Sequence, residues 1–236
     1  MRCLVLAFVA TGCAANFAES LELDADAGDV NAKLASSHGV EGEQIEYEMK
    51  LAGLTVGRFQ IAVGNRGVID GRQAVIVRSS ANLAGAGTLL GEMSWDLTTT
   101  IDIESGYAIE QTESVAIDSA LRTGHQESKK KWSIDEHRHN AHSAAGVLRG
   151  WFTAPGANDA VEVSLFESLV PVTIADAARE SVDDRPAVRY DGMLRSKHAF
   201  SVWVSDDTSR VPLRLRAGSK IGNVEVDLVD YSAPAE

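Results

Sequence analysis

From residue 43 onward the chain alternates. In IEYEMKL, Ile45, Tyr47, Met49 and Leu51 fall on one side and Glu46, Glu48 and Lys50 on the other, the period-two pattern of a strand with one buried and one solvated face. LTVGRFQIAVG, RQAVIVRSSANL, MSWDLTTTIDI and YAIEQTESVAI continue it. In the third of these, Met93, Trp95, Leu97, Thr99 and Ile101 share one face. Ala52-Gly53 and Asn65-Arg66-Gly67 are the expected turns between the first runs. Alternation with one wet face predicts antiparallel neighbours. A single segment breaks the period. In HNAHSAAGVLRGWF, Ala144, Val147, Leu148, Trp151 and Phe152 recur every three or four residues, which predicts a short helix over about residues 141–152 lying on the sheet. Asn140 or Ser143 caps it and Pro155-Gly156 ends it. Strand patterns return in VEVSLFE, SLVPVTIADAARESV, PAVRY, AFSVWVS, VPLRLRA and GNVEVDLVDY, with no repeat of solenoid spacing. The predicted class is all-β, mainly antiparallel.

The first residues, MRCLVLAFVATGCAAN, change the picture of where this sheet works. Arg2, an apolar run from Cys3 to Ala10 and small residues before a cysteine read as an export segment, and the run is too short to span a bilayer. Ala10-Thr11-Gly12-Cys13 resembles the lipobox of bacterial lipoproteins. The resemblance implies that Cys13 is diacylated and becomes the mature N-terminus. Residues 1–12 are then a signal peptide, 13–42 a lipidated N-terminus and flexible acidic tether, and 43–232 one β-rich domain. A tether of that composition reaches ~30 Å as a coil. Cleavage removes Cys3, one of two cysteines, so no intramolecular disulfide follows. Two acyl chains on one residue give a stable membrane anchor. The expected location is the bacterial envelope, as an outer-membrane lipoprotein facing the periplasm; the alternative is a soluble periplasmic protein.

Charge removes one class of partner. With 22 Lys plus Arg against 34 Asp plus Glu the formal net charge is −12, and nucleic acid needs clustered cations. The only dense basic run is Lys129-Lys130-Lys131. On a strand it reads as a solvated face or a lysine-guarded edge.

Three stretches carry a family likeness: IEYEMKLAGLTVGRFQIAV, AHSAAGVLRGW and VWVSDDTSRVPLRLRAGSKIGNVEVDLVDY. The chain resembles the domain of unknown function 3108 family of exported bacterial envelope proteins over about Glu43 to Tyr231. The last block is the most specific, through the order Trp203, Ser205-Asp206-Asp207, Arg210, Pro212 and Gly222. The resemblance implies a curved antiparallel sheet closed partly or wholly into a barrel, and lends no known activity. Within VWVSDDTSRVPLRLRA, Phe200, Val202 and Val204 alternate against Val211, Leu213 and Leu215. Ser205 to Ser209 supply turn side chains, Arg210 pairs with Asp206 or Asp207, and Pro212 marks an edge or a strand start. The stretch therefore reads as a hairpin rather than a reactive site.

Candidate chemistry is sparse. His137, His139 and His142 are the tempting group, with His125 nearby in sequence. Imidazoles suit Zn²⁺, but one regular element cannot aim all three together, and no HExxH is present. There is no G-x-S-x-G elbow, and LAGAGTLLGEM lacks the lysine of a phosphate loop, so it reads as a loop or short crossing helix. No catalytic residue, metal ligand or cofactor is assigned. The expected function is a non-catalytic envelope lipoprotein whose concave apolar face, lined by some of Tyr47, Trp95, Trp132, Trp151 and Trp203, receives an apolar small molecule, a lipid or a partner's segment. One alternative is an assembly component of the outer membrane that docks an envelope partner through a strand edge. The other is a metal-dependent hydrolase using His137, His139 and His142.

Overall fold

The computed structural model describes residues 41–119, 122–136, 139–151, 160–165, 168–194, 198–219 and 222–233. Residues 1–40, which hold the expected signal peptide, Cys13 and most of the expected tether, and His137 lie outside the described residues. Twelve strands follow the chain: β1 (Gln44–Leu51), β2 (Leu54–Ile69), β3 (Arg72–Leu83), β4 (Glu92–Asp102), β5 (Ala108–Ser119), β6 (Arg122–Lys131), β7 (Ala160–Leu165), β8 (Ser168–Val182), β9 (Arg185–Leu194), β10 (His198–Ser205), β11 (Pro212–Ser219) and β12 (Gly222–Ser232). They form one sheet in the order β6-β5-β4-β3-β2-β1-β12-β11-β10-β9-β8-β7, antiparallel throughout. Two six-strand meanders thus meet along the β1–β12 seam, and the sheet ends at β6 and β7 without closing. Helix α1 (Ala141–Trp151) lies in the connection between those two ends.

Turn chemistry sets much of this. Ala52 (φ 50°) and Gly53 (φ 82°) make the two-residue hairpin turn between β1 and β2, as their sequence implies. Asn65-Arg66-Gly67 is not a turn, contrary to the sequence expectation. β2 continues to Ile69, and a bulge between Val63 and Arg66 absorbs the irregular residues. The chain reverses instead at Asp70 (φ 52°) and Gly71 (φ 80°), which supply the two positive φ angles that a tight hairpin needs.

Register defines the two faces. Leu228, Tyr47, Phe59, Ala81, Trp95 and Val115 stand opposite one another in a row across six strands. The next row runs Tyr231, Ile45, Ile61, Ser79, Leu97 and Glu113. The one after holds Val63, Val77, Thr99 and Gln111. Ile45, Tyr47, Met49, Ala81, Val211, Val224 and Val226 cluster at the seam, where burying each isoleucine, methionine or valine side chain stabilises the fold by about 1.5–3 kcal/mol. The opposite face is ionic. Lys50 bonds Asp227 at 2.9 Å and Glu48 at 3.2 Å, Arg214 also bonds Asp227, Arg216 bonds Glu225, and Arg58 meets Glu46 at 2.9 Å. On β6, Lys129 and Lys131 both pair with Glu110, at 2.7 and 3.0 Å, so the basic run does guard a sheet edge.

Candidate functional site: an apolar trough and its helical strap

Helix α1 crosses the apolar face, and both its ends are clamped. At the start, the Asn140 Oδ1 accepts the backbone N–H groups of His142 and Ser143, each at 3.1 Å, while the Ser143 Oγ accepts the Asn140 N–H at 2.9 Å. This reciprocal arrangement satisfies the free donors of a helix N-terminus. The same asparagine ties the helix to the sheet, its Nδ2 donating to Thr99 Oγ1 at 2.7 Å and Gln111 Oε1 at 2.8 Å. The His142 ring is buried with Nδ1 2.9 Å from Thr99 Oγ1 and Nε2 2.8 Å from Ser79 Oγ. Burial penalises the imidazolium and pushes the His142 pKa down to about 3.

At the other end, Arg149 donates to both oxygens of Glu43 (2.7 and 3.0 Å) and to the Ser209 carbonyl (2.6 Å). Glu43 is wholly buried. Burial works against the Arg149 guanidinium, yet the Glu43 carboxylate holds its pKa above the ordinary value. Tyr47 completes this corner by donating to the Pro212 carbonyl at 3.1 Å, and burial pushes its hydroxyl up. Eleven helical residues span ~16 Å, carrying the strap from β4 and β5, past β1, to the β10–β11 turn.

That turn uses its own carboxylate. Asp207 Oδ1 accepts the Ser209 N–H at 2.9 Å, the Arg210 N–H at 3.2 Å and the Ser205 hydroxyl at 2.9 Å. Arg210 sits at φ 50° with its guanidinium 3.9 Å from Asp206. Burial alone would raise the Asp207 pKa; the hydrogen bonds from Ser209, Ser205 and Arg210 hold it below the usual value. The stretch is a hairpin, and Pro212 opens β11 as its missing N–H suggests.

The strap engages the Thr99 and Ser79 rows. One step further along the strands lies the aromatic row, with Tyr47 and Phe59 rings stacked at 6.1 Å and Phe59 and Trp95 at 6.2 Å. Phe59 and Trp95 are only half-buried, as are Ile61, Met93 and Val115 on the same face. The Trp95 indole N–H donates to Glu113 Oε1 at 2.8 Å. Where the rows reach the β10–β11 turn, a pocket of about 260 Å³ opens, lined by Arg185, Ser205, Asp207, Val211, Leu228 and Tyr231 among others.

The residues singled out from sequence separate here. Tyr47 and Trp95 do line the apolar face, but Trp203 lies on the other one, its indole donating to Glu180 at 2.8 Å beneath the Arg216 guanidinium. The bulge between Trp203 and Val204 lets the ring stay buried against Val182, Ala187 and Leu213 while strand parity aims it outward. Trp132 is half-buried beyond β6, and the Trp151 side chain lies outside the described residues. His139 packs on Tyr107 at 4.8 Å and His142 is occupied by two hydroxyls. Among the described residues no group of three or more His, Cys, Asp or Glu is placed to hold a metal ion. Phe59, Glu113, Glu43 and Arg149 were not singled out. Phe59 was in phase with Ile61 and Val63 all along, whereas the other three are defined by partners up to 106 residues away.

No family model matches the chain, and no curated protein does either. Among solved structures it is similar to a β-barrel-like protein of the domain of unknown function DUF1849 from Brucella abortus, with a TM-score of 0.53 and 10% identity over 84% of this chain and 99% of that one. Lower scores relate it to a protein of YmcC-like fold from Bacteroides fragilis (TM-score 0.38, 10% identity, 83% and 97% covered) and to the lipoprotein LppX of Mycobacterium tuberculosis (0.27, 12%, 88% and 97%). The likeness to the Brucella abortus protein, at 10% identity, is one of fold, which hosts many functions.

Proposed function

We propose that this chain is a non-catalytic envelope lipoprotein that holds an apolar ligand in the trough beneath and beside helix α1. One observation carries the reading: the outer face is closed off by ion pairs, while the inner face leaves Phe59 and Trp95, stacked on each other, half-open to solvent. Neighbouring aromatic side chains left partly uncovered on an otherwise dry face are the surface that an apolar ligand would cover. The polar groups nearest the strap are consumed in fixing it, which leaves shape and apolar contact to do the binding. The lipobox-like Ala10-Thr11-Gly12-Cys13 makes Cys13 the acyl-bearing residue, in line with the resemblance to the exported proteins of the domain of unknown function 3108 family. Residues 1–12 are the leader and 13–42 the tether in this reading.

The test is direct. Brominated alkyl chains titrated into the purified protein should quench tryptophan fluorescence by reaching Trp95, and Phe59→Ala should weaken that binding about ten-fold, the loss expected when a contact worth 1–2 kcal/mol goes. Absence of quenching at saturating, sub-micellar chain concentrations would end the reading. Labelling of cells with an alkyne fatty acid should tag the protein, and Cys13→Ala should abolish the tag.

A further inference from the structure

The trough is not uniformly apolar, and its polarity has a direction. Along the central row the side chains are Leu228, Tyr47, Phe59, Ala81 and Trp95. At Trp95 the row meets Glu113, a half-buried carboxylate on the same face, one strand further toward the β6 edge. The Trp95 indole donates to one of its two oxygens at 2.8 Å, which fixes the carboxylate beside the ring. The geometry points to a ligand with a cationic head: a single-chain amphiphile whose alkyl chain lies along Phe59 and Trp95 and whose ammonium group sits at Glu113. This deepens the apolar-trough reading and rests on it.

Three features support the choice of head. A carboxylate accepts hydrogen bonds and positive charge, and in the half-dry margin of a trough the attraction exceeds that at an open surface. Aromatic faces next to it add cation–π attraction, strongest for tryptophan. Trp95 and Phe59 stand 6.2 Å apart in the stack leading to Glu113. An anionic head would meet Glu113 as a like charge. Lys130 stands on this face one row away, opposite Gln111, and already has a partner; Lys129 and Lys131 pair with Glu110.

Calorimetry of the full chain with dodecyltrimethylammonium, dodecanol and dodecanoate, all below their micellar concentrations, tests this. The ammonium amphiphile should bind about ten-fold tighter than the alcohol, on the scale of one partly desolvated charge contact plus a cation–π contact, and dodecanoate more weakly than either. Glu113→Gln keeps an acceptor for the Trp95 indole, so the fold should survive, and it should bring the ammonium-to-alcohol ratio close to one. Glu113→Lys should invert the order of the two charged ligands. If all three chains bind equally to the unaltered protein, or if the ammonium preference survives in Glu113→Gln, the cationic head is wrong while the apolar trough stands. If none binds, the trough reading itself falls.

Discussion

At the scale of single residues, the strap is held by groups whose ionisation is out of register with water. His142 is the clearest. Its folded pKa is about 3 because burial opposes the charged ring, while in the unfolded chain it titrates near 6.5. Both states are neutral above that value, so the full stability is present there. As the pH falls through the window from 6.5 toward 3 only the unfolded chain takes up the proton, and stability drops by about 1.4 kcal/mol for each pH unit. Urea unfolding should therefore show a falling stability between pH 6.5 and 4.5, before carboxylates begin to protonate. His142→Gln, which keeps a donor and an acceptor near Thr99 and Ser79, should flatten that stretch of the profile. A His142→Gln protein with an unchanged slope would show that the ring is not buried in its neutral form.

At the scale of elements, strands and helix were legible to different depths. The period-two runs located eleven of the twelve described strands because apolar and polar residues alternate along their sequences; β6, RTGHQESKKK, alternates nothing apolar and is an edge. The β2 bulge was misread because Asn65, Arg66 and Gly67 carry turn chemistry that the β3 pairing overrode. Helix α1 was legible from its apolar spacing and from Asn140 as a cap, but what Asn140 does beyond capping was not, since Thr99 and Gln111 are brought to it by the sheet. That double duty makes a quantitative expectation. Asn140→Ala loses the cap and two hydrogen bonds to the sheet, one buried and one part-buried, and should destabilise the protein by about 2–3 kcal/mol where a cap alone costs about 1. Amide exchange should accelerate first at His142 and Ser143, whose N–H groups lose their acceptor, well before the β1–β12 seam exchanges.

At the scale of the whole molecule, the fold depends on one strand more than its length suggests. β1 is the first strand of the described residues yet stands at the centre of the sheet, paired with β2 on one side and β12 on the other. Nothing in the alternation of IEYEMKL announces this, because a central and a peripheral strand can carry the same one-sided pattern; only the register of Tyr47 with both Phe59 and Leu228 places it. Among the described residues the two six-strand meanders pair as strands only through β1 and β12; Tyr47 adds a hydrogen bond to Pro212 at the start of β11, and α1 adds another tie, its Asn140 on β4 and β5 and its Arg149 on the Ser209 carbonyl of the β10–β11 turn. Losing β1 would expose the seam cluster around Met49 and Val226, open two long unpaired edges and leave Arg149 without its carboxylate, each of which is separately unfavourable. A chain beginning at Gly42 should unfold in the same cooperative transition as the longer protein, with its midpoint unchanged, since Glu43 and everything it holds are retained. A chain beginning at Gly53 should show no cooperative transition and should aggregate through the exposed edges of β2 and β12. If the chain from Gly53 instead melts cooperatively near the original temperature, the two meanders are independent bodies, and a trough running continuously from Leu228 to Trp95 could not be the binding surface.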